Sequence, residues 1–285
     1  MKKVLIVMFA LAITGAAYAQ QVELTLGNGH AHPVSGHAGG GGATGNLTYH
    51  TGGTVIRNAN VVLIFWGASF ASGGANAAYA SEIQAFRNQF GTTGEYNTVT
   101  QYYGEDPVSG YGNVATGSLV NQADWFDTST PPTAVTDAIV QSEVKAYIAG
   151  HGVDYNAIYE VFTPSGSYSQ DGTSTSCGGP SLGYCAYHSH YTDASGKNVK
   201  YSIEPWPGCS GCSATGFTVA QNQEHFVCHE TREAVTDALG NAWFDRRGNE
   251  ADDKCAWSPA PFVGTGGFGY QYEWSNANGG CIKTR

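Results

Sequence analysis

A chain of 285 residues with 13 Lys and Arg against 23 Asp and Glu lacks the clustered cations that neutralise phosphates. Nucleic acid is therefore excluded as a partner, and an anionic membrane surface is disfavoured for the same reason. Its 39 glycines and 13% charged residues fit an exported, loop-rich protein better than a charged cytosolic enzyme.

Lys2 and Lys3 precede an apolar run over residues 4–13, and Ala17-Tyr18-Ala19 follows. That pattern predicts a signal peptide over residues 1–19, cleaved after Ala19. The run is shorter than the roughly 20 residues that span a bilayer, so a secreted monomer without a membrane span is expected, periplasmic or extracellular. Residues 20–46 are expected to form a mobile Gly- and His-rich tract, because His30, His32 and His37 sit among glycines with almost no apolar anchor. Residues 47–285 are read as a single α+β domain.

Within that domain Asn60-Val61-Val62-Leu63-Ile64-Phe65-Trp66 predicts a strand buried on both faces. Residues 78–90 carry Ile83, Phe86 and Phe90 at helical spacing. Residues 96–103 read as extended. Pro131-Pro132 then opens a predicted helix over 133–149, with Val135, Ile139, Val144 and Ile148 inward. Ala157-Ile158-Tyr159-Glu160-Val161-Phe162 predicts another strand, halted by Pro164. Residues 184–191 and 199–204 read as an antiparallel pair around the turn at Asp193-Ala194-Ser195-Gly196. Residues 221–239 form the last predicted helix, closed by Gly240. This order predicts an α+β, zincin-like fold, a mixed β-sheet packed against helices with the chemistry on a late helix.

On that late helix His225, His229, Glu233 and Asp237 recur every four residues and so share one face. An imidazole and a carboxylate at i and i+4 supply two ligands, each about 2 Å from one ion, without backbone strain. Glu230 would stand beside the ion, where a general base takes a proton from water. The motif is the His-Glu-x-x-His helix of zinc peptidases with Glu233 at the second histidine position, so Zn2+ is the expected cofactor. The acidic turn Gly248-Asn249-Glu250-Ala251-Asp252-Asp253 offers a third ligand, with Glu250 favoured and Asp253 or Asp237 orienting an imidazole. A His225 and His229 pairing remains open. His188 and His190, two apart on a predicted strand, face the same way and could steady an oxyanion or replace Glu250. The plainer alternatives are a solvated helix whose His229 only hydrogen-bonds Glu233, and a half-exposed strand.

All seven cysteines lie in the second half of the chain, and in an oxidising compartment disulfides are the default. The expected pairing is local: Cys177 with Cys185, Cys209 with Cys212 and Cys255 with Cys281, leaving Cys228 a buried thiol.

Several short segments recur in order: Tyr49-His50-Thr51-Gly52-Gly53, the strand ending in Phe65-Trp66-Gly67, Tyr184-Cys185-Ala186-Tyr187-His188, Cys209-Ser210-Gly211-Cys212, Glu233-Ala234-Val235-Thr236-Asp237 and Asn241-Ala242-Trp243-Phe244. In these the chain resembles the exordium, or phosphate-induced, protein family and its secreted bacterial and fungal relatives with a His-Glu-x-x-Glu motif. The resemblance implies a secreted or cell-surface protein. In the bacterial relatives it implies a zinc-dependent peptidase in which His229, Glu230 and Glu233 match position by position.

The combined expectation is a secreted zinc-dependent hydrolase acting on a peptide or protein. His229, Glu233 and Glu250 bind zinc, Glu230 activates water, and His188 or His190 stabilises the developing oxyanion. The alternative is a non-catalytic extracellular module that retains a metal site, with Trp66, Trp206 and Trp274 contacting cell-wall polysaccharide. No Gly-x-Ser-x-Gly elbow is present to support a serine hydrolase.

Overall fold

The computed structural model describes residues 30–35 and 45–285; the expected signal peptide and His37 lie outside them. A six-stranded mixed sheet forms the centre. Its strands are β1 (His30–Pro33), β2 (Asn60–Trp66), β3 (Trp125–Asp127), β4 (Ala157–Thr163), β5 (Tyr184–Thr192) and β6 (Asn198–Pro205), in the spatial order β1-β5-β6-β4-β2-β3. The β6-β4, β4-β2 and β2-β3 pairs are parallel, whereas β1-β5 and β5-β6 are antiparallel. Three helices accompany it: α1 (Ala77–Phe90), α2 (Asp137–His151) and α3 (Val219–Thr236). The fold is thus α+β, with a mixed sheet between helices. No helix among the described residues is long and apolar enough to cross a membrane.

Strand alternation sorts the core into two sides. Val61, Leu63 and Phe65 pack with Ile83, Phe86, Val227 and Val235 of α1 and α3, while Val62 and Ile64 pack with Val140, Val144 and Tyr147 of α2. Both faces of β2 are therefore covered, which is why its apolar run is unbroken. Helix α3 lies across β5, β6 and β4. In the strand register His30, His188, Ser202, Glu160 and Leu63 stand side by side, so polar groups line part of the face beneath α3.

Four local expectations change. Residues 30–33 of the expected mobile tract form edge strand β1, where main-chain pairing to β5 and burial of His32 (0% exposed) provide the anchors that composition did not reveal. Residues 96–101 are a 3-10 helix rather than extended, with Thr93, Thr98 and Thr100 hydroxyls returning hydrogen bonds to nearby carbonyls. Pro131-Pro132 leads into the short strand Ala134–Thr136, paired with Tyr168–Asp171, and α2 starts only at Asp137. Helix α3 stops at Thr236, ahead of Gly240, because Asp237 leaves the helical region and its carboxylate accepts from the Asn241 and Ala242 amides at 2.5 Å.

The disulfides are Cys177–Cys209, Cys185–Cys212 and Cys255–Cys281. Only the last follows the local expectation. The Cys209-to-Cys212 segment is a 3-10 turn packed beside the start of β5, so its two cysteines meet different partners, with Cα–Cα separations of 5.6 and 5.5 Å that a disulfide spans. Cys228 is free and buried.

Thr218 caps α3 by accepting from the Gln221 amide at 3.0 Å, while the Gln221 side chain accepts from the Thr218 amide at 3.0 Å, a reciprocal capping box. Thr218→Ala should cost about 1 kcal/mol, read as a fall of about 2–4 °C in melting temperature by differential scanning calorimetry.

Candidate metal centre

Helix α3, strand β5, strand β1 and the loop from Asp245 to Cys255 converge on one buried cluster. Glu230, Glu233 and Glu250 and the His229 ring are 0% exposed, His188 is 2% exposed and Asp253 3%, while the side chain of His30 retains 21%. His229 Nε2 and Glu233 Oε2 lie 2.9 Å apart, yet neither atom has a hydrogen-bond partner among the described residues. They are close without bonding each other, which leaves both available to a third group. Asp253 Oδ1 lies 3.8 Å from His229 Nε2, and the ligand atoms of His229, Glu233 and Asp253 lie within 4.8 Å of one another. Tetrahedral bonds of about 2 Å place ligands at comparable mutual distances.

The surroundings fix each of these atoms. Gln271 donates through Nε2 to the Asp252 carbonyl at 2.8 Å, and its amide lies against His229 Nδ1, with Nε2 at 3.1 Å and Oε1 at 3.3 Å. That contact holds the ring by Nδ1 and leaves Nε2 facing the cluster, the orientation that metal-binding imidazoles take from an outer partner. Burial pushes the His229 pKa down to about 4, so the ring is uncharged at neutral pH. Glu233 is held through its other oxygen, Oε1, by the Asp253 amide at 2.9 Å. The loop is shaped by Asp245, which accepts from the Arg247 and Asn249 amides at 2.8 and 3.1 Å.

His188 donates to Glu250 at 3.2 Å and stands 3.7 Å from Glu233. Burial disfavours its charge, but Glu250 and then Glu233 outweigh burial and hold its pKa well above the ordinary imidazole value. His30 lies 2.9 Å from Glu250 and is likewise raised to about 9, against the burial effect. These two rings pull Glu250 down to about 2 although burial alone would raise it. Burial, with Glu233 next, pushes Asp253 up to about 7. Glu230 has no hydrogen-bond partner on either carboxylate oxygen among the described residues, and burial drives its pKa well above the carboxylate range.

Burial pushes the Glu230, Glu233 and Asp253 carboxyls up toward their protonated forms, and a cation beside them would let them ionise. An uncompensated buried ion costs several kcal/mol, against about 5–15 kcal/mol for the stability of a whole domain. The chemistry of the donor set, neutral imidazole plus carboxylates with orphaned ligand atoms, therefore fits one divalent cation, with His229, Glu233 and Asp253 as the residues able to hold it.

Of the side chains singled out by the sequence, His229, Glu230, Glu233 and His188 are brought together. Glu250 takes a different place from the favoured one: it groups with His30 and Asp253 and bonds His188, while Asp253 comes to His229 and Glu233. The reason is the turn of the loop, in which the Glu250 amide donates to Asp253 Oδ2 at 3.2 Å and so turns Asp253 Oδ1 toward α3. His190 stands opposite Lys200, outside the ligand-distance groups. His225 packs against His32, Phe226 and Trp257, also outside them. Asp237 serves the end of α3. The tryptophans proposed for carbohydrate are not free platforms, since Trp66 and Trp274 are 7% and 9% exposed and Trp206 packs on Tyr79.

Sequence reasoning missed His30 and Gln271 as neighbours of the cluster, and the buried ions behind it. Arg232, on the same helix, reaches Asp252 and lies 3.7 Å from Glu273. Glu160 and Glu204 lie on the sheet beneath, bonded by Thr231 at 2.7 Å and by Gln223 at 2.7 Å. The one available signal was His30-Ala31-His32, whose period of two matches His188-Ser189-His190.

Compared with known proteins, the chain matches no family model, no curated protein and no solved structure. Function is therefore argued from the geometry.

Cys228 precedes His229, but burial pushes its thiol up to about 12, which leaves it inert rather than nucleophilic. The native protein should show no thiol reactive toward a disulfide reagent, and one per chain after denaturation without reductant, as read by absorbance.

Proposed function

We propose that this chain is a secreted zinc-dependent hydrolase acting on peptides, with a zincin-like arrangement and a kinship to the His-Glu-x-x-Glu relatives of the exordium family. The observation that carries the reading is the pair His229 Nε2 and Glu233 Oε2, buried, 2.9 Å apart and without hydrogen-bond partners, beside a Glu230 whose two oxygens are equally unpartnered. A solvated helix face, the plainer alternative, would leave these atoms to water. Zinc suits the donors because it accepts nitrogen and carboxylate oxygen in a four-coordinate site. Three disulfides support an oxidising compartment.

Zinc held by His229, Glu233 and Asp253 would supply Lewis acidity that polarises a carbonyl and lowers the pKa of water to about 7. Glu230, protonated by burial, would ionise with the cation's charge beside it, take the proton of water at its carboxylate and hand it to the leaving amine. His188, protonated by its contacts with Glu250 and Glu233, supplies positive charge where an oxyanion develops. Glu250 in turn holds His188 in place.

The burial that favours ion binding also favours a second reading, a structural cation in a non-catalytic surface module, because structural zinc sites are closed and catalytic ones keep an open position. Glu230→Gln separates the two. In the hydrolase it leaves the zinc content at one per chain and lowers peptide cleavage by at least about 1000-fold, which is roughly 4 kcal/mol. Equal zinc content with no chelator-sensitive cleavage by the wild type would leave only the structural reading.

Gln271→Leu removes the amide that holds His229 by Nδ1. Zinc affinity should fall by about 10- to 100-fold, measured by competition with a chromophoric chelator.

A further inference from the structure

A hydrolase must admit its substrate, yet Glu230, Glu233 and His229 are 0% exposed, and of the clustered rings only His30 reaches the surface. His30 belongs to β1, a four-residue strand at the margin of the sheet that pairs on one side only among the described residues. It runs antiparallel to β5 with His30 opposite His188 and Ala31 opposite Tyr187. Because side chains alternate along a strand, His30 and His32 both face the cluster, and Ala31 packs on the opposite side of the sheet.

His32 fills a defined pocket. Its ring meets Phe226 at 4.6 Å, Trp257 at 5.3 Å and His229 at 4.5 Å between centroids, and its Nε2 lies 2.9 Å from Gln271 Oε1. Main-chain contacts continue past the strand, with Trp257 Nε1 donating to the Pro33 carbonyl at 2.6 Å and the Ser35 amide to the Gly211 carbonyl at 2.7 Å. An extended chain is thus laid along β5 so that one residue abuts Glu250 and the next-but-one sits in an aromatic box against a candidate zinc ligand.

We propose that the outer edge of β5 is the seat for the main chain of an extended peptide substrate, and that residues 30–33 are its resident occupant, a strand the substrate must replace. This rests on the hydrolase reading and adds a substrate class to it. The peptide binds antiparallel to β5 by strand addition, in which main-chain hydrogen bonds give affinity and alternate side chains give selectivity. The residue taking the place of His30 lies beside Glu250 and His188, and the residue taking the place of His32 is aromatic or an imidazole, since edge-to-face packing against Phe226 and Trp257 rewards a flat ring.

The test uses the full-length secreted chain and its His30→Ala and His30→Ala/His32→Ala variants. The probes are a fluorescent peptide Asn-Gly-His-Ala-His-Pro-Val-Ser, a copy with Phe at its fifth position, and a copy with Asp there. Expected are at least about 10-fold tighter binding of the first two peptides to either variant than to wild type, weaker binding of the Asp peptide, and amide exchange over residues 184–190 that quickens in the variants and slows again on adding peptide. If the double variant does not fold, the single variant, which alters a ring at the surface, carries the test. Binding no tighter than wild type, with amide exchange unchanged, overturns the proposal even where wild type cleaves peptides. Tight binding without cleavage upholds the peptide seat and overturns the hydrolase reading instead.

Discussion

Burying four carboxylates and three imidazoles under one helix is the constraint around which this protein is organised. In a medium of low effective dielectric each unpaired charge is costly, and the same low dielectric strengthens every pairing that is made. His30 and His188 answer the charge of Glu250, while burial pushes the carboxyls of Glu230, Glu233 and Asp253 up. The proposed divalent cation would let those carboxyls ionise and would take the donor atoms that lack partners among the described residues.

The supporting structure makes sense in those terms. Glu233 is clamped by the Asp253 amide, His229 by Gln271, and Gln271 by the Asp252 carbonyl, so the loop, the helix and the C-terminal segment are tied to one another through the cluster. Arg232 carries Asp252 and approaches Glu273 on a further side of α3, which keeps a second set of buried charges paired away from the ligands. The disulfides Cys185–Cys212 and Cys255–Cys281 anchor β5 and the end of the acidic loop, the two elements that bring His188 and Asp253 to the helix. Such rigid mounting matters because ligand geometry tolerates only small errors.

In the proposed hydrolase, closure and turnover would pull in opposite directions. A sealed cluster would hold a cation well, while hydrolysis would need a path to it. The proposed displacement of β1 reconciles the two, because a short edge strand is the part of a sheet with fewest main-chain bonds to replace.

The α+β class, the buried strands that begin at Asn60 and Ala157 and the shared helix face of His229 and Glu233 were legible in the chain, since each follows from local physics. The unbroken run at Val61 to Phe65 has to be covered on both faces, and His229 and Glu233 share a helix face whatever surrounds them. The partner of that pair was not legible. Glu250 and Asp253 are equally plausible by composition, and only the backbone turn between them brings Asp253 rather than Glu250 to His229. The same holds for Cys177 and Cys185, which are neighbours in sequence but bridge to Cys209 and Cys212 because a 3-10 turn packs beside β5. It holds most of all for His30 and Gln271, which stand 199 and 42 residues from His229 and are joined to the cluster solely through strand pairing and packing. Local periodicity determines which face a side chain occupies, whereas contacts across long loops depend on how the elements close on one another.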